Sequence, residues 1–202
     1  GLPQVDSDNQ GGEGRKSNVN ASVRRAVDIM TDPVSSNINL LAIPGVREPF
    51  VTDHALEKTR DYSMAMYVMD TIKYDEDANR LYDDSEKRVD VRETSEQFES
   101  RALDNNYGAT YFPDVFIEDP FNNQTVKVPA SVAALGALGA SDSASHVWFA
   151  PAGFNRGALT DVINTEIRLN TEDRNVLYEA RINPIANFPT GPFVILGQKT
   201  LQ

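Results

Sequence analysis

Five oxygen-bearing side chains fall at the spacing of a calcium-binding loop. Asp75, Asp77, Asn79, Asp83 and Glu86 occupy positions 1, 3, 5, 9 and 12 of that template. Such carboxylates and amides offer the hard oxygen ligands calcium requires. Position 6 of the template needs a glycine for its sharp turn, and the sequence has Arg80 there, a bulky cation that would sit against the metal. In a stretch this acidic the spacing also arises by chance. A solvated acidic loop is the better reading, and no metal ligand is assigned.

The two histidines leave few ways to build a metal or triad site. His54 lies in the first turn of an expected helix beside Asp53, which favours a capping or surface role. His146 stands near Ser141, Asp142, Ser143 and Ser145, but a hydrolase triad needs groups that converge from separate segments around an oxyanion hole. No Gly-x-Ser-x-Gly elbow is present, and Ser131 falls where a helix N-terminus takes a capping or first-turn residue. Gly136 and Gly139 follow a helical start rather than a strand, so they do not fit a phosphate-cradling loop. Pro44 to Pro49 lies at the carboxyl end of an expected parallel strand, where open α/β sheets bind ligands. Its two prolines remove backbone donors, which makes it a rigid connection. No catalytic, cofactor-binding or metal residue is assigned, and a non-enzymatic chain without cofactor is expected.

The elements that would position these groups read as follows. Residues 1–16, rich in Gly, Asp and Gln, are expected to be loop or disorder. Ser17 is a plausible N-cap for a helix whose apolar stripe is Val19, Val23, Ala26, Val27 and Met30, stopped by Asp32-Pro33. Ile38–Ile43 is a short buried strand ended by Pro44-Gly45, Thr52 or Asp53 caps a helix to about residues 59–61, and Met64–Met69 is a second strand. Strand, helix, strand at this spacing predicts a parallel βαβ unit. Residues 73–104 turn to Asp, Glu, Arg and Ser and read as a solvated acidic insertion or linker. Val115–Glu118 and Thr125–Val128 flank an Asn-rich turn and predict a β-hairpin. Pro129 opens a helix of small residues able to pack closely on a neighbour. Asn170 with Asp173 starts a helix to about Arg181, terminated by Asn183-Pro184, and Phe193–Leu196 is a final buried strand. Trp148, the chain's one tryptophan, between Val147 and Phe149, is expected to anchor the core. The fold class is mixed α/β (α+β): a parallel βαβ-containing sheet flanked by helices, with a β-hairpin and an acidic insertion. Residues 17–72 and 105–202 form the main body.

Composition bounds the function. The 202 residues are 40% hydrophobic and 24% charged, with a net charge of −11. That is enough apolar content for a core and the wrong sign for a phosphate backbone, so nucleic acid is excluded as a partner. There is no cysteine, which removes disulfides and thiolate chemistry and fits synthesis in a reducing cytoplasm. No apolar run approaches the roughly 20 residues that span a bilayer, so no membrane role is expected. A start at Gly1 and a strand-like run directly before Gln202 suggest a fragment of a longer chain.

Several of these segments, taken in order, resemble the sheath protein of contractile phage tails and related injection machines. Ile38 to Gly45 is similar to the family's strand followed by Pro-Gly, and Tyr107 to Pro113 to its aromatic-Pro segment. Val128-Pro129-Ala130-Ser131 with Asp142 resembles a Val-Pro-x-Ser helix start, and Val147 to Gly153 a Trp-x-Ala-Pro-Ala run. Leu169-Asn170, Leu177, Ile182-Asn183, Phe188-Pro189 and Val194 to Leu201 resemble the closing series. Departures are Ala130 where proline is usual, Pro184 after Ile-Asn, and Leu196 where tryptophan is common. The resemblance implies a structural subunit of a virion tail sheath, made in the host cytoplasm, whose partners are other sheath copies, the inner tail tube and the baseplate. It implies contraction by rigid-body rearrangement rather than chemistry. The chain on its own is expected to be a monomer. The competing readings are a small-molecule or metal-binding α/β domain and, behind it, a hydrolase using His146.

Overall fold

Ser17, in extended backbone, caps the first helix by accepting from the Asn20 amide. From there the computed structural model describes residues 17–144, 152–153 and 157–202. Its first half runs α1 (Asn18–Met30), β1 (Leu40–Ala42), α2 (Pro49–Tyr62), β2 (Met66–Met69), β3 (Lys73–Tyr74), β4 (Arg80–Leu81), α3 (Val91–Ser100) and β5 (Gly108–Phe112). The remainder is β6 (Val115–Asp119), β7 (Gln124–Val128), α4 (Ala130–Ala144), β8 (Ala158–Leu159), β9 (Val162–Thr165), α5 (Thr171–Glu179), β10 (Ile182–Asn187) and β11 (Phe193–Ile195). The expected loop at 1–16 and the expected core role of Trp148 lie outside the described residues, as does His146.

The main sheet has six strands in the order β1-β2-β5-β10-β11-β8. The first four are parallel and the last two antiparallel. Leu40 stands opposite Met66, which is the expected strand-helix-strand unit, with each strand shorter than its apolar run. α2 starts at Pro49 rather than at Thr52 or Asp53. Proline suits a first helical position because the missing N–H would be unsatisfied there anyway. α1 buries Val27 but leaves Ala26 and Met30 exposed, so its apolar stripe is narrower than the sequence spacing suggests.

One reading is overturned. Asn183-Pro184 does not merely stop a helix: it lies inside β10, a central strand paired with β5. α5 itself ends at Glu179, earlier than read, although its capping box of Asn170 and Asp173 forms as expected. Pro184 cannot donate to the ladder. Its carbonyl accepts from the Leu196 amide at 2.8 Å, on the β11 side, and the neighbouring Asn183 side chain adds a bond to the Thr110 carbonyl of β5 at 3.1 Å.

The sheet is covered on both faces. On one, Tyr67, Met69, Phe112 and Ile182 pack with Leu56, Val91, Phe98 and Leu177 from α2, α3 and α5. On the other, Val68, Ala109, Tyr111 and Ile185 meet Ala130, Ala134 and Ala137 of α4. Each Val, Leu, Ile, Phe or Met among them contributes about 1.5–3 kcal/mol by leaving water, and each alanine less. Gly108 allows close approach: a Cβ there would collide with Leu56 and press on Leu201. Beside this body, β6 and β7 form the expected hairpin, extended by β9 into a three-stranded antiparallel sheet.

The solvated character read for residues 73–104 is also corrected. β3 and β4 pair as a hairpin, and Leu81, Val89, Val91 and Phe98 are buried in the same cluster as the sheet. Large apolar groups are few in this stretch, but these four face inward. No helix among the described residues is long and apolar enough to cross a membrane.

Candidate functional site

Apolar strands that end in an aspartate deliver carboxylates to one edge of the sheet. Asp70 follows β2 and Asp114 follows β5, so both emerge at the carboxyl end of the parallel strands, beside the first turn of α4. The free amides of that turn, and the helix dipole, favour negative charge. Asp70 accepts from the Ser131 amide at 3.0 Å, the Ser131 hydroxyl at 2.7 Å and the Gly45 amide at 3.0 Å. Gly45 has φ of 80°, a left-handed turn suited to glycine, and so points its N–H at the carboxylate. Asp114 accepts from the Ala130 amide at 3.2 Å.

Two cations close the cluster. Arg47, from the β1–α2 connection, donates to the Thr71 carbonyl at 2.6 Å and to Asp114 at 2.9 Å, with Asp83 at 3.5 Å. Lys73 is 1% exposed, and its Nζ donates to Asp114 at 3.0 Å and to Glu166 at 3.0 and 3.2 Å. Glu166, just past β9, also takes Lys127 of β7 at 3.4 Å. The cluster thus joins the main sheet, α4, the β3–β4 hairpin and the three-stranded sheet.

Its electrostatics are those of a structural network, in which Arg47 Nε is left without a hydrogen-bond partner among the described residues and Asp83 stays half exposed. Burial alone would push the Asp114 carboxyl up, but Arg47 and then Lys73 outweigh it and hold the group below the ordinary carboxylate range. Asp70, whose closest partners are neutral donors, is pushed up by burial despite the opposing pull of Arg47 and its hydrogen bonds. Burial opposes the Arg47 charge, yet Asp114, Asp70 and Asp83 overcome it and raise its pKa, so the guanidinium stays cationic. Nucleophilic or acid-base work needs a lone pair or proton that can meet a substrate. Here the Ser131 hydroxyl donates to Asp70, and both Asp70 oxygens accept from the protein. The position where open α/β sheets receive ligands is filled by the chain's own ion pairs.

Of the groups singled out by spacing in the sequence, Asp75 and Asn79 meet, the Asn79 side chain donating to both Asp75 oxygens at 3.2 Å, and the rest do not converge on them. Asp75 sits at the β3–β4 turn, where Oδ1 accepts from the Asp77 and Asn79 amides at 3.1 and 2.8 Å and Oδ2 from Lys87 at 2.9 Å. Asp83 faces Arg47 instead, and Arg80 reaches Glu48 at 3.3 Å while lying over the Tyr82 ring. Among the described residues no three of His, Cys, Asp or Glu group as metal ligands. His54 pairs with Asp28 at 2.7 Å between α2 and α1, and Asp53 pairs with Arg101 at 2.6 Å. Ser141, Asp142 and Ser143 fall in the last turn of α4. The buried cluster was missed by sequence reading. The available signal was an Asp directly after an apolar strand at Asp70, and another two residues past Phe112 at Asp114.

Residues 86–201 match the family described as the phage tail sheath protein central domain. The tail sheath protein of Vibrio phage KVP40 is 34% identical over 98 residues, and that of Enterobacteria phage T4 is 31% identical over 99. These stretches cover 48% and 49% of this chain and 14% of each relative. In fold, the chain is similar to one in the baseplate of the anti-feeding prophage, with a TM-score of 0.60 at 19% identity, covering 95% of this chain and 44% of that one. It is similar also to the contracted helical sheath of that prophage and to the contracted sheath complex of PVC, an extracellular contractile injection system. Their TM-scores are 0.58 and 0.59 at 18% and 17% identity, over 94% and 91% of this chain. The chain spans 44–49% of the length of these structural relatives.

Proposed function

Because the chain belongs to the phage tail sheath protein family, we propose that it is part of a structural subunit of a contractile tail sheath. The subunit assembles around an inner tube and shortens by rigid-body rearrangement, driving the tube through the host envelope. Its partners are other sheath copies, the tube and the baseplate, and its place is the virion tail after synthesis in the host cytoplasm. Residues 17–72 and 105–202 supply the body, and 73–104 brace it from one side. The protein is non-enzymatic and uses no cofactor.

The observation that carries this reading is the family match over residues 86–201, which runs through both central strands and the helix at the buried cluster. The cluster fits it physically. A subunit that changes its packing without changing its fold needs an interior that does not yield, since bistable interfaces are useful only between stiff bodies. Electron microscopy of the whole protein is the test. Tubes or polysheaths are expected, and a whole protein that stays dispersed at high concentration would refute the reading.

A further inference from the structure

Phe121 stands 94% exposed at the turn between β6 and β7. A lone exposed ring says little in itself. This one is held on a braced turn: Asp119 accepts from the Phe121 amide at 2.9 Å and from the Asn122 side chain at 2.6 Å, and the Asn123 amide donates to the Asp119 carbonyl at 2.8 Å. Asn123 takes φ of 51°, a conformation asparagine tolerates in turns. A ring already fixed in place loses little conformational freedom on binding.

The same chain carries a receptacle of matching chemistry. A mainly apolar groove of about 220 Å³ runs between α4 and the β8–β9 turn, with Ala133, Gly136 and Ala137 on the helix side, Leu159 and Val162 opposite, and Ile117 of β6, Thr160 and Asp161 also in its lining. A Cβ placed at Gly136 would meet nothing within 4 Å, so a partner's ring can lie directly against the helix backbone. Phe121, being exposed, does not fill its own chain's groove. Where the pairing is not reciprocal across a two-fold axis, a knob and a hole on one chain make a heterologous contact, which repeats from copy to copy into rings or helical filaments.

We propose that Phe121 of one copy inserts into the α4 groove of the next, an inference that rests on the sheath reading for its partner. The occupant is a second copy because knob and hole occur together here, and because the fold relatives include chains of a helical sheath. One ring buries about 150–250 Å², far below the roughly 1,200 Å² of a stable interface, and the net charge of −11 repels isolated copies. The contact therefore belongs to an array, where many weak links act together, and leaves the separate chain monomeric.

The absence of cysteine allows a clean test. Single variants Gln124→Cys, beside the turn, and Asp161→Cys, on the groove, leave Phe121 and Gly136 in place. They are mixed under mild oxidation, and their disulfide-linked product is compared with that of Gln124→Cys and Asp61→Cys, whose side chain is 62% exposed on α2. Docking is expected to speed the first pairing at least about tenfold by raising effective concentration. In tubes of the whole protein, the double variant Gln124→Cys with Asp161→Cys is expected to give a ladder of linked copies. Enhanced linkage in either preparation supports the contact; background linkage in both overturns it. Tubes without a ladder, and no excess in the free chain, would leave the sheath reading standing and remove the contact. Excess linkage in the free chain from a protein that never forms tubes would do the reverse. Phe121→Ser, which alters an exposed side chain, is expected to leave the melting temperature of the chain unchanged.

Discussion

The acidic turn at Asp75–Asn79 and the cluster around Lys73 lie next to each other in the chain and differ in almost every physical respect. In the turn, charges are dense along the sequence, and its one buried carboxylate, Asp75, is satisfied by amides two and four positions away and by a lysine that is itself 62% exposed. In the cluster, charges are sparse along the sequence and meet partners 41 and 93 positions away, out of water. Conspicuous spacing marked the region that matters less to the fold. Buried charge is costly to leave unpaired, whereas exposed pairs contribute little, so convergence in space, and not density in sequence, shows where charge governs structure.

The largest effect expected from this contrast is on Lys73→Met. It leaves Asp114 and Glu166 short of a buried cation, and we expect a loss of about 3–5 kcal/mol in denaturant unfolding. A loss below about 1 kcal/mol would place the cluster with ordinary surface pairs. Next is Asp70→Ala, which strands the buried Ser131 hydroxyl and the amides of Ser131 and Gly45; about 1–3 kcal/mol is expected. Asp70→Asn keeps the shape and one acceptor oxygen but sets an NH2 against a protein donor in place of the other, and is expected to lose less than Ala because part of the bonding survives.

Acid titration sharpens the comparison from both sides. Asp114 is held below the carboxylate range, and Asp75 is lowered to about 2 by its bonds to Lys87 and the Asn79 amide. Both have folded values below unfolded ones near about 4, so each contributes stability that is fully present above that range and lost as pH falls through the folded value. Asp70 has the opposite sign: its raised value favours the fold at low pH and loses that contribution as pH rises through it. Melting temperature is expected to fall between about pH 4 and 2, and Lys87→Ala is expected to flatten that fall by the share due to Asp75. At neutral pH the same variant is expected to change melting far less than Lys73→Met. The smallest effect is that of calcium: millimolar additions are expected to leave melting unchanged, since only an ion bound by the native state would raise it.

Local signals were legible and convergent ones were not. The βαβ unit, the hairpin and the Asn170–Asp173 capping box each lie within a short window where period and turn chemistry decide the outcome. The two central strands escaped because they are buried on both faces and show no alternation. In β10 the Pro184 signal reads as a stop, although the residue sits inside a paired strand. Residues 73–104 were misjudged because Leu81, Val89, Val91 and Phe98 are diluted by charges that point outward. The cluster could not be read at all from spacing, since Arg47, Lys73, Asp114 and Glu166 meet only once the sheet order is known.

The side chain of Asn183 has a mechanical consequence. Besides bonding Thr110, it donates to the Lys199 carbonyl at 2.8 Å and accepts from the Lys199 amide at 2.8 Å, while Leu201 bridges to Asn105 and takes Arg181 on its carbonyl at 3.2 Å. Residues 199–201 are thereby laced to β10 and to the start of β5, in the middle of the sheet rather than at a rim strand. Traction applied through them is shared among several bonds that have to give together.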